Sequence, residues 1–456
     1  MNQQLPPNQQ IVPPFRWKIK HGKKTFYIPV KTKFTISMIM ALMWVMLSIY
    51  LSLPWMRELA FHIGLLFSIL IIGGIAYIPG YMNAFMVFSL LLDRQPPLKD
   101  DQPEKHVTIL IACYNEEKRI RNTLKYIAAQ DYQGQISVVV IDNNSKDYTE
   151  EVALKAAEEM QIEVCVIQEP TSGKSFALNT GLQYVETEYV LTLDADTLLH
   201  PSAVRYIVSR METAPEDVCA VAGTILVRNS RSTWLAKIQE WDYFLGIAST
   251  KRLQGLFQGT LVAQGAFSIY QTSAIKMAGG WPDAIGEDIV LTWSFLRKNR
   301  RVYFEPLAVA FTDVPVVLKH FFRQRSRWAR GMIEALRLFK PWKQPVYSVK
   351  YLTGCNLIMP YLDFVYTFCW IPGLVLAFGG YYWIVGVTTL FVIPLSLLQN
   401  YILYCYQKKV FGTLHLKIRR NVLGFVLFVL CYQILMSPIS VWGYIQEVFR
   451  LPRTWK

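Results

Sequence analysis

What most constrains this chain is a pair of uncharged apolar runs near its beginning, Phe34 to Met56 and Ile63 to Leu92. At about 1.5 Å per helical residue, each is long enough to cross the roughly 30 Å hydrocarbon layer of a bilayer. Pro79 interrupts the second run, which predicts that its last turns lie along the membrane surface. Arg57 to His62 makes a short outer loop between the two. The first 33 residues hold seven bases (Arg16, Lys18, Lys20, Lys23, Lys24, Lys31 and Lys33) and no acid. A basic tail directly before a span is the signature of a cytoplasmic segment. It gives the net charge of +14 a membrane meaning and argues against a nucleic-acid partner.

Farther on, Phe364 to Gln407 is a 44-residue uncharged stretch, enough for two spans turning near Gly379-Gly380. Lys408 to Arg420 is basic and therefore cytoplasmic, and Asn421 to Gln446 spans once more. Five spans put Arg450, Arg453 and Lys456 outside, against the charge rule, unless one segment fails to cross. The expected organisation is a basic tail (1–33), two membrane helices (34–92), a linker (93–104), a soluble domain (105–313), amphipathic interface helices (314–349), then about three membrane helices and a tail (350–456). The seven cysteines include no CxxC pair, which excludes a zinc site of that type and predicts reduced thiols.

The soluble stretch alternates two patterns. Val107–Ala112, Ile136–Ile141, Glu163–Gln168 and Tyr189–Leu193 are short, largely β-branched apolar runs. Glu116–Gln130, Lys146–Met160 and Lys174–Val185 between them have helical spacing. That alternation predicts an α/β domain with a doubly wound, mostly parallel sheet, which binds ligands at the carboxyl ends of its strands.

Polar residues gather at those ends. Asp194-Ala-Asp196 follows the fourth run, and in extended chain residues two apart face one side. Both carboxylates then suit a hard cation, Mg²⁺ or Mn²⁺, shared with substrate phosphates. A turn with a helix cap before Pro201 would explain the motif alone equally well. Tyr114, Asp142 and Lys174 follow three successive strands and can converge on a nucleotide; Ser172-Gly-Lys-Ser lacks the first glycine of a P-loop. Glu287-Asp288 opens a helix, where acids are favoured by the dipole or where Asp288 serves as a general base. Val316 to Phe339 is amphipathic and basic, as a membrane-interface helix would be. Within it Gln324, Arg327 and Trp328 share a face at i, i+3 and i+4, a set suited to a sugar ring and a departing diphosphate. Asp363, the sole charge between Tyr351 and Gln407, either contacts a transported chain or marks the cytoplasmic end of its span.

Tyr114-Asn-Glu-Glu, Asp142-Asn-Asn-Ser-Lys-Asp, Gly173-Lys174, Asp194-Ala-Asp196, Glu287-Asp288 and Gln324-x-x-Arg327-Trp328 occur in an order that resembles the processive family-two glycosyltransferases over about residues 105 to 340. These include cellulose, hyaluronan, chitin and poly-β-1,6-N-acetylglucosamine synthases. The stretches Val221-Ala-Gly-Thr to Arg228-Asn-Ser-Arg-Ser and Gln324-Arg-Ser-Arg-Trp-Ala-Arg-Gly are most similar to the last group. The resemblance implies a GT-A cytosolic domain inserted between transmembrane helices of a bacterial cell membrane. It also implies a UDP-sugar donor, a divalent metal at Asp194 and Asp196, inversion at C1 and a growing polysaccharide acceptor. Asp288 would be the base, Tyr114, Asp142, Lys174 and Asp194 would hold the donor, and Glu287, Gln324, Arg327 and Trp328 would hold acceptor and UDP. A small membrane partner subunit is also implied. Asn143 stands where many members have a second Asp, and Gly286 where Thr is common. The alternatives are a hyaluronan-, chitin- or β-glucan-type synthase, a non-processive glycolipid transferase, and a catalytically silent nucleotide-sugar-binding subunit.

Overall fold

A computed structural model describes residues 28–93, 98, 102–386, 389 and 392–452. The basic tail up to residue 27, most of the expected linker, Arg453 and Lys456 lie outside the described residues.

The soluble domain is built on one eight-stranded sheet of order β3-β2-β1-β4-β7-β6-β8-β5. The strands are β1 Val107–Cys113, β2 Ile136–Asp142, β3 Val164–Gln168, β4 Tyr189–Leu193, β5 Leu198–Leu199, β6 Val218–Val227, β7 Phe267–Gln271 and β8 Arg301–Thr312. β1 pairs in parallel with β2 and β4, as does β2 with β3. β7 runs antiparallel between β4 and β6, and β6 is parallel to β8. The expected β-branched runs are therefore β1 to β4, each within one residue of its predicted bounds.

The two-residue period of a strand sorts the core into two layers. Val107, Ile109 and Ile111 of β1, with Val138 and Val140 of β2, share one layer with the helices Ile120–Ala128, Thr149–Met160 and Ala203–Thr213. Leu110, Val139 and Ile141 share the other with Lys174–Leu182 and Glu287–Arg297. Burial on both faces explains why these strands read as continuous apolar runs.

Four helices among the described residues are long and apolar enough to cross a membrane: Val30–Ile63, Leu65–Leu91, Tyr347–Phe378 and Val422–Val448. Several boundary expectations are corrected. The first helix runs straight through Arg57 to His62, so no six-residue loop forms. The chain reverses at Gly64 alone, whose φ of +83° is open to glycine without a Cβ penalty. Pro79 does not end the second helix; a π turn, Gly73–Tyr77, lies directly before it. Proline removes one N–H and crowds the preceding turn, and the wider π turn makes room there. The third helix starts at Tyr347 rather than Phe364, so Asp363 lies inside it. It ends at Phe378, and the reversal does fall at Gly379-Gly380, with Gly380 at φ +88°.

The remaining expected segment forms the helix Val392–Thr413. Its Leu403, Val410 and Leu414 pack with Leu226, Phe244 and Val309 of the soluble domain. Val422–Val448 meets the soluble domain at its first end and the helix Leu318–Leu338 at its last. Asn421 Nδ2 donates to the Lys237 carbonyl at 2.9 Å, and Glu447 pairs with Arg337 at 2.7 Å and Arg330 at 3.4 Å.

Candidate active site

Parallel β1, β2 and β4 deliver their carboxyl ends to one edge of the sheet, and a cleft of about 430 Å³ opens there. Tyr114, Asn143, Lys174, Asp194, Asp196 and Arg327 line it, and so does Glu116. Side chains separated by more than 200 positions thus border one space.

Asp194 and Asp196 reach it differently from the extended-chain expectation. The strand stops at Leu193, and a turn closed by the Thr197 N–H donating to the Asp194 carbonyl at 3.0 Å follows. Leaving the strand frees both carboxylates from the sheet and exposes them on the cleft wall. Among the described residues Asp196 accepts only from hydroxyls, Thr312 Oγ1 at 3.3 Å and Thr197 Oγ1 at 3.4 Å. Burial, reinforced by the charges of Asp194 and Glu116, pushes its pKa up to about 6. A half-buried acid that, among the described residues, forms no ion pair with a protein cation fits a site for an added cation. Among the described residues no three His, Cys, Asp or Glu side chains form a protein-only metal cage. Two carboxylates completed by substrate oxygens is how Mg²⁺-type ions commonly bind.

Lys174 ties the cleft to the Glu287–Arg297 helix. Gly173 precedes it at φ +147°, and the Gly173 N–H donates to Asn143 Oδ1 at 2.7 Å. Lys174 Nζ contacts Asp194 Oδ1 and lies 3.9 Å from Glu287 Oε1. Burial opposes its charge, but Asp194 and Glu287 outweigh that and hold its pKa above the ordinary lysine value. Burial and the adjacent Asp288 push Glu287 up to about 7, with Lys174 pulling it down. Asp288 Oδ2 accepts from the Gly265 N–H at 3.4 Å, and Gly265 also borders Lys174: a Cβ there would come within 2.8 Å of Nζ. Asp194, Lys174, Glu287, Gly265 and Asp288 thus form one contiguous cluster, although Asp288 is not on the cleft lining itself.

Asp142 is where the expectation and the geometry part. Its carboxylate is taken up by the fold, accepting from the Ser145 N–H at 3.0 Å and Gln168 Nε2 at 3.2 Å. Asn143 borders the cleft instead. Its amide donates to the Glu169 and Thr171 carbonyls, at 3.1 and 2.6 Å, while accepting from Gly173. Asn143 therefore shapes the loop that presents Lys174.

The helix Leu318–Leu338 carries the Gln324, Arg327 and Trp328 set. Arg327 borders the cleft, whereas Trp328, one residue on, lines a second cavity of about 380 Å³ against the apolar helices. Gln324 borders neither, and its Oε1 is buried without a hydrogen bond. The basic surface expected of this helix is only partly a surface, because Arg325 and Arg330 are buried in ion pairs with Asp242 and Glu447. Arg325 also lies 4.1 Å from the Trp328 ring centroid, a cation–π contact that fixes the indole. Sequence reasoning missed Arg325 and Glu116 as site residues. Each sat inside a recognised motif, but only the tertiary contacts separate them from neighbouring charges.

Residues 108–278 match the model of the family described as glycosyl transferase family 2. The chain is 32% identical over 281 residues to a poly-β-1,6-N-acetyl-D-glucosamine synthase of Staphylococcus aureus, covering 60% of this chain and 67% of that one. It is 30% identical over 303 residues to the enzyme of the same name from Staphylococcus epidermidis, covering 64% and 73%. In fold it resembles a mannosyltransferase from Pyrobaculum calidifontis, solved with GDP-Man and Mn²⁺, with a TM-score of 0.58 at 17% identity over 84% of this chain and 98% of that one.

Proposed function

The chain belongs to glycosyltransferase family 2 and is a membrane glycosyltransferase, and from that premise we propose that it polymerises UDP-N-acetylglucosamine into poly-N-acetylglucosamine and passes the product across the membrane. The observation that carries the proposal is the step from Arg327 to Trp328. Consecutive residues of one helix border the nucleotide-sized cleft and the cavity against the apolar helices, and Gly331 of the same helix packs on Gly286, beside Glu287-Asp288.

The donor uridine lies against Tyr114 and the Asn143 loop, and Lys174 and Arg327 neutralise the diphosphate. Asp194 and Asp196 would hold Mg²⁺ or Mn²⁺, which supplies positive charge for the leaving UDP. Asp288 accepts the proton of the acceptor's terminal hydroxyl, whose oxygen attacks C1. The C1–O bond to UDP breaks as the new bond forms, which inverts the anomeric centre. Preorganised charge at the diphosphate is the largest contribution, and general-base help adds about 10²–10⁴-fold. Trp328, fixed by Arg325, offers a flat face to the acceptor ring, and Glu287 and Gln324 complete the acceptor set.

The soluble domain is assigned to the cytoplasm. The basic Lys408–Arg420 segment borders it through Val410 and Leu414, and basic segments stay inside. The test is to supply purified membranes with UDP-N-acetylglucosamine, UDP-glucose or UDP-glucuronate plus Mg²⁺ or Mn²⁺, then digest the product with linkage-specific hydrolases. Polymer from UDP-N-acetylglucosamine that a β-1,6-specific enzyme cleaves is the expected result. A single-sugar glycolipid, or polymer from another donor alone, refutes it.

A further inference from the structure

We infer that Lys251 is a positioning residue for the base: its ammonium holds the strap of residues 259–265 that delivers a backbone N–H to Asp288. The inference rests on the reading of Asp288 as the proton acceptor of a glycosyltransferase and adds a residue that acts on it from a separate helix.

Lys251 lies on the helix Ala248–Leu256 and is only 9% exposed. Lysines are rarely buried to this extent without a partner charge, yet among the described residues Lys251 makes no ion pair. Its Nζ donates to the Val262 carbonyl at 2.7 Å, which uses one of its three N–H donors. Burial pulls its pKa down to about 7, and the charge that opposes that pull is Asp288. A buried cation without an ion pair costs the fold stability, and a methionine of similar length would fill the same space without that cost. The cation is therefore explained by what it holds and not by what it packs against.

What it holds is a strap tied along its length. The Thr260 N–H donates to the Val302 carbonyl at 3.0 Å, and the Leu261 N–H donates to Oε1 of Gln254, one turn on from Lys251, at 3.0 Å. Past Val262, the Ala263 N–H donates to Thr292 Oγ1 at 3.0 Å, and Thr292 Oγ1 donates in turn to the Asp288 carbonyl at 2.7 Å. Gln264 Nε2 donates to the Gly223 carbonyl at 2.6 Å, and the Gly265 N–H ends the strap on Asp288 Oδ2 at 3.4 Å. The strap thus meets Asp288 twice, at its carboxylate and, by way of Thr292, at its backbone. The Val262 carbonyl lies midway along these ties, and Lys251 is the donor that fixes it. Removing that donor strands a backbone acceptor and frees the strap to shift, and Asp288 shifts with it.

The experiment uses the full chain in nanodiscs with UDP-N-acetylglucosamine and Mn²⁺, following UDP release and polymer beside a thermal melt. A misplacement of about 1 Å at a reacting group costs on the order of 10²-fold in rate, so Lys251→Met should lower kcat by about 10–100-fold. The donor KM should stay within a few-fold of wild type and the melt should be no lower. Lys251→Arg, which keeps both donor and charge, should recover part of kcat. Combining Lys251→Met with Thr292→Val should cost less than the product of the two single losses, since both act on one strap. Wild-type kcat in Lys251→Met overturns the inference. A lowered melt or a chain that fails to fold also overturns it, because the lysine then serves the fold alone. So do a donor KM that rises as kcat falls, no recovery in Lys251→Arg, and two losses that simply multiply. Asp288→Asn, run alongside, separates the two levels of the argument. Synthesis unchanged there removes the base reading and this inference with it; synthesis lost there but kept in Lys251→Met removes this inference alone.

Discussion

Gly331→Ala tests the spatial relation on which the proposed chemistry rests. Gly331 lies one turn beyond Arg327 and Trp328 on its helix, and its backbone packs directly on Gly286, the residue before Glu287-Asp288. A Cβ on Gly331 would sit 3.0 Å from Gly286 Cα and 3.2 Å from its nitrogen. Ordinary carbon contacts are about 3.5–4.0 Å, and both obstructing atoms are backbone, so the two segments must separate by roughly 0.5–1 Å. The Ile285 N–H, donated to Glu334 Oε2 at 2.8 Å, holds them together farther along, so the strain falls on the Arg327 and Trp328 end. A misplacement of about 1 Å at reacting groups costs on the order of 10²-fold in rate. Stability should move little, because overpacking costs about 1–3 kcal/mol while alanine gains about 1 kcal/mol over glycine in a helix. UDP release and polymer yield in purified membranes, beside a thermal melt, read the two effects separately. Expected are a kcat lowered by about 10–100-fold, a donor KM within a few-fold of wild type and a near-native melt. A variant with wild-type kcat would refute the claim that this glycine pair sets the distance between acceptor helix and base.

Asp288→Asn should lower polymer synthesis by about 10²–10⁴-fold while UDP binding, read by isothermal titration, persists; unchanged synthesis removes Asp288 from the base role. Protons compete with the cation at Asp196. Its pKa of about 6 predicts that Mn²⁺ affinity, followed by electron paramagnetic resonance, weakens by up to about tenfold per pH unit below pH 6 and is flat above it. The same raised pKa means that this side chain favours the folded, metal-free protein below its unfolded value and loses that contribution as pH rises through about 6. Arg325→Met strands Asp242 as a buried charge and should cost about 3–5 kcal/mol in denaturant unfolding of the detergent-solubilised chain. Adding Asp242→Asn should recover part of that loss, and no recovery would show that the guanidinium matters through packing on Trp328 alone.

The sequence by itself determined whatever depends on local pattern. Uninterrupted apolar runs marked β1, β2 and β4 because strands buried on both faces have no polar side to alternate, while the edge strand β3 was marked by its β-branched residues alone, and long uncharged runs marked the apolar helices because hydrocarbon tolerates little charge. The ordered motifs identified the family and most of the cleft. Tertiary structure decided whatever depends on which partner a side chain meets. Asp142 and Asn143 are adjacent, and only the loop's hydrogen bonds put the first into the fold and the second on the cleft. The arginines of the Leu318–Leu338 helix look alike in one dimension; Asp242 and Glu447 bury two of them and leave Arg327 on the cleft. The ends of Val422–Val448 were assigned by hydropathy to opposite sides of a bilayer. Only the tertiary contacts show Asn421 held by the Lys237 carbonyl and Glu447 by Arg330 and Arg337 of the Leu318–Leu338 helix, because hydropathy measures a residue's cost in lipid and is blind to a distant partner that removes that cost.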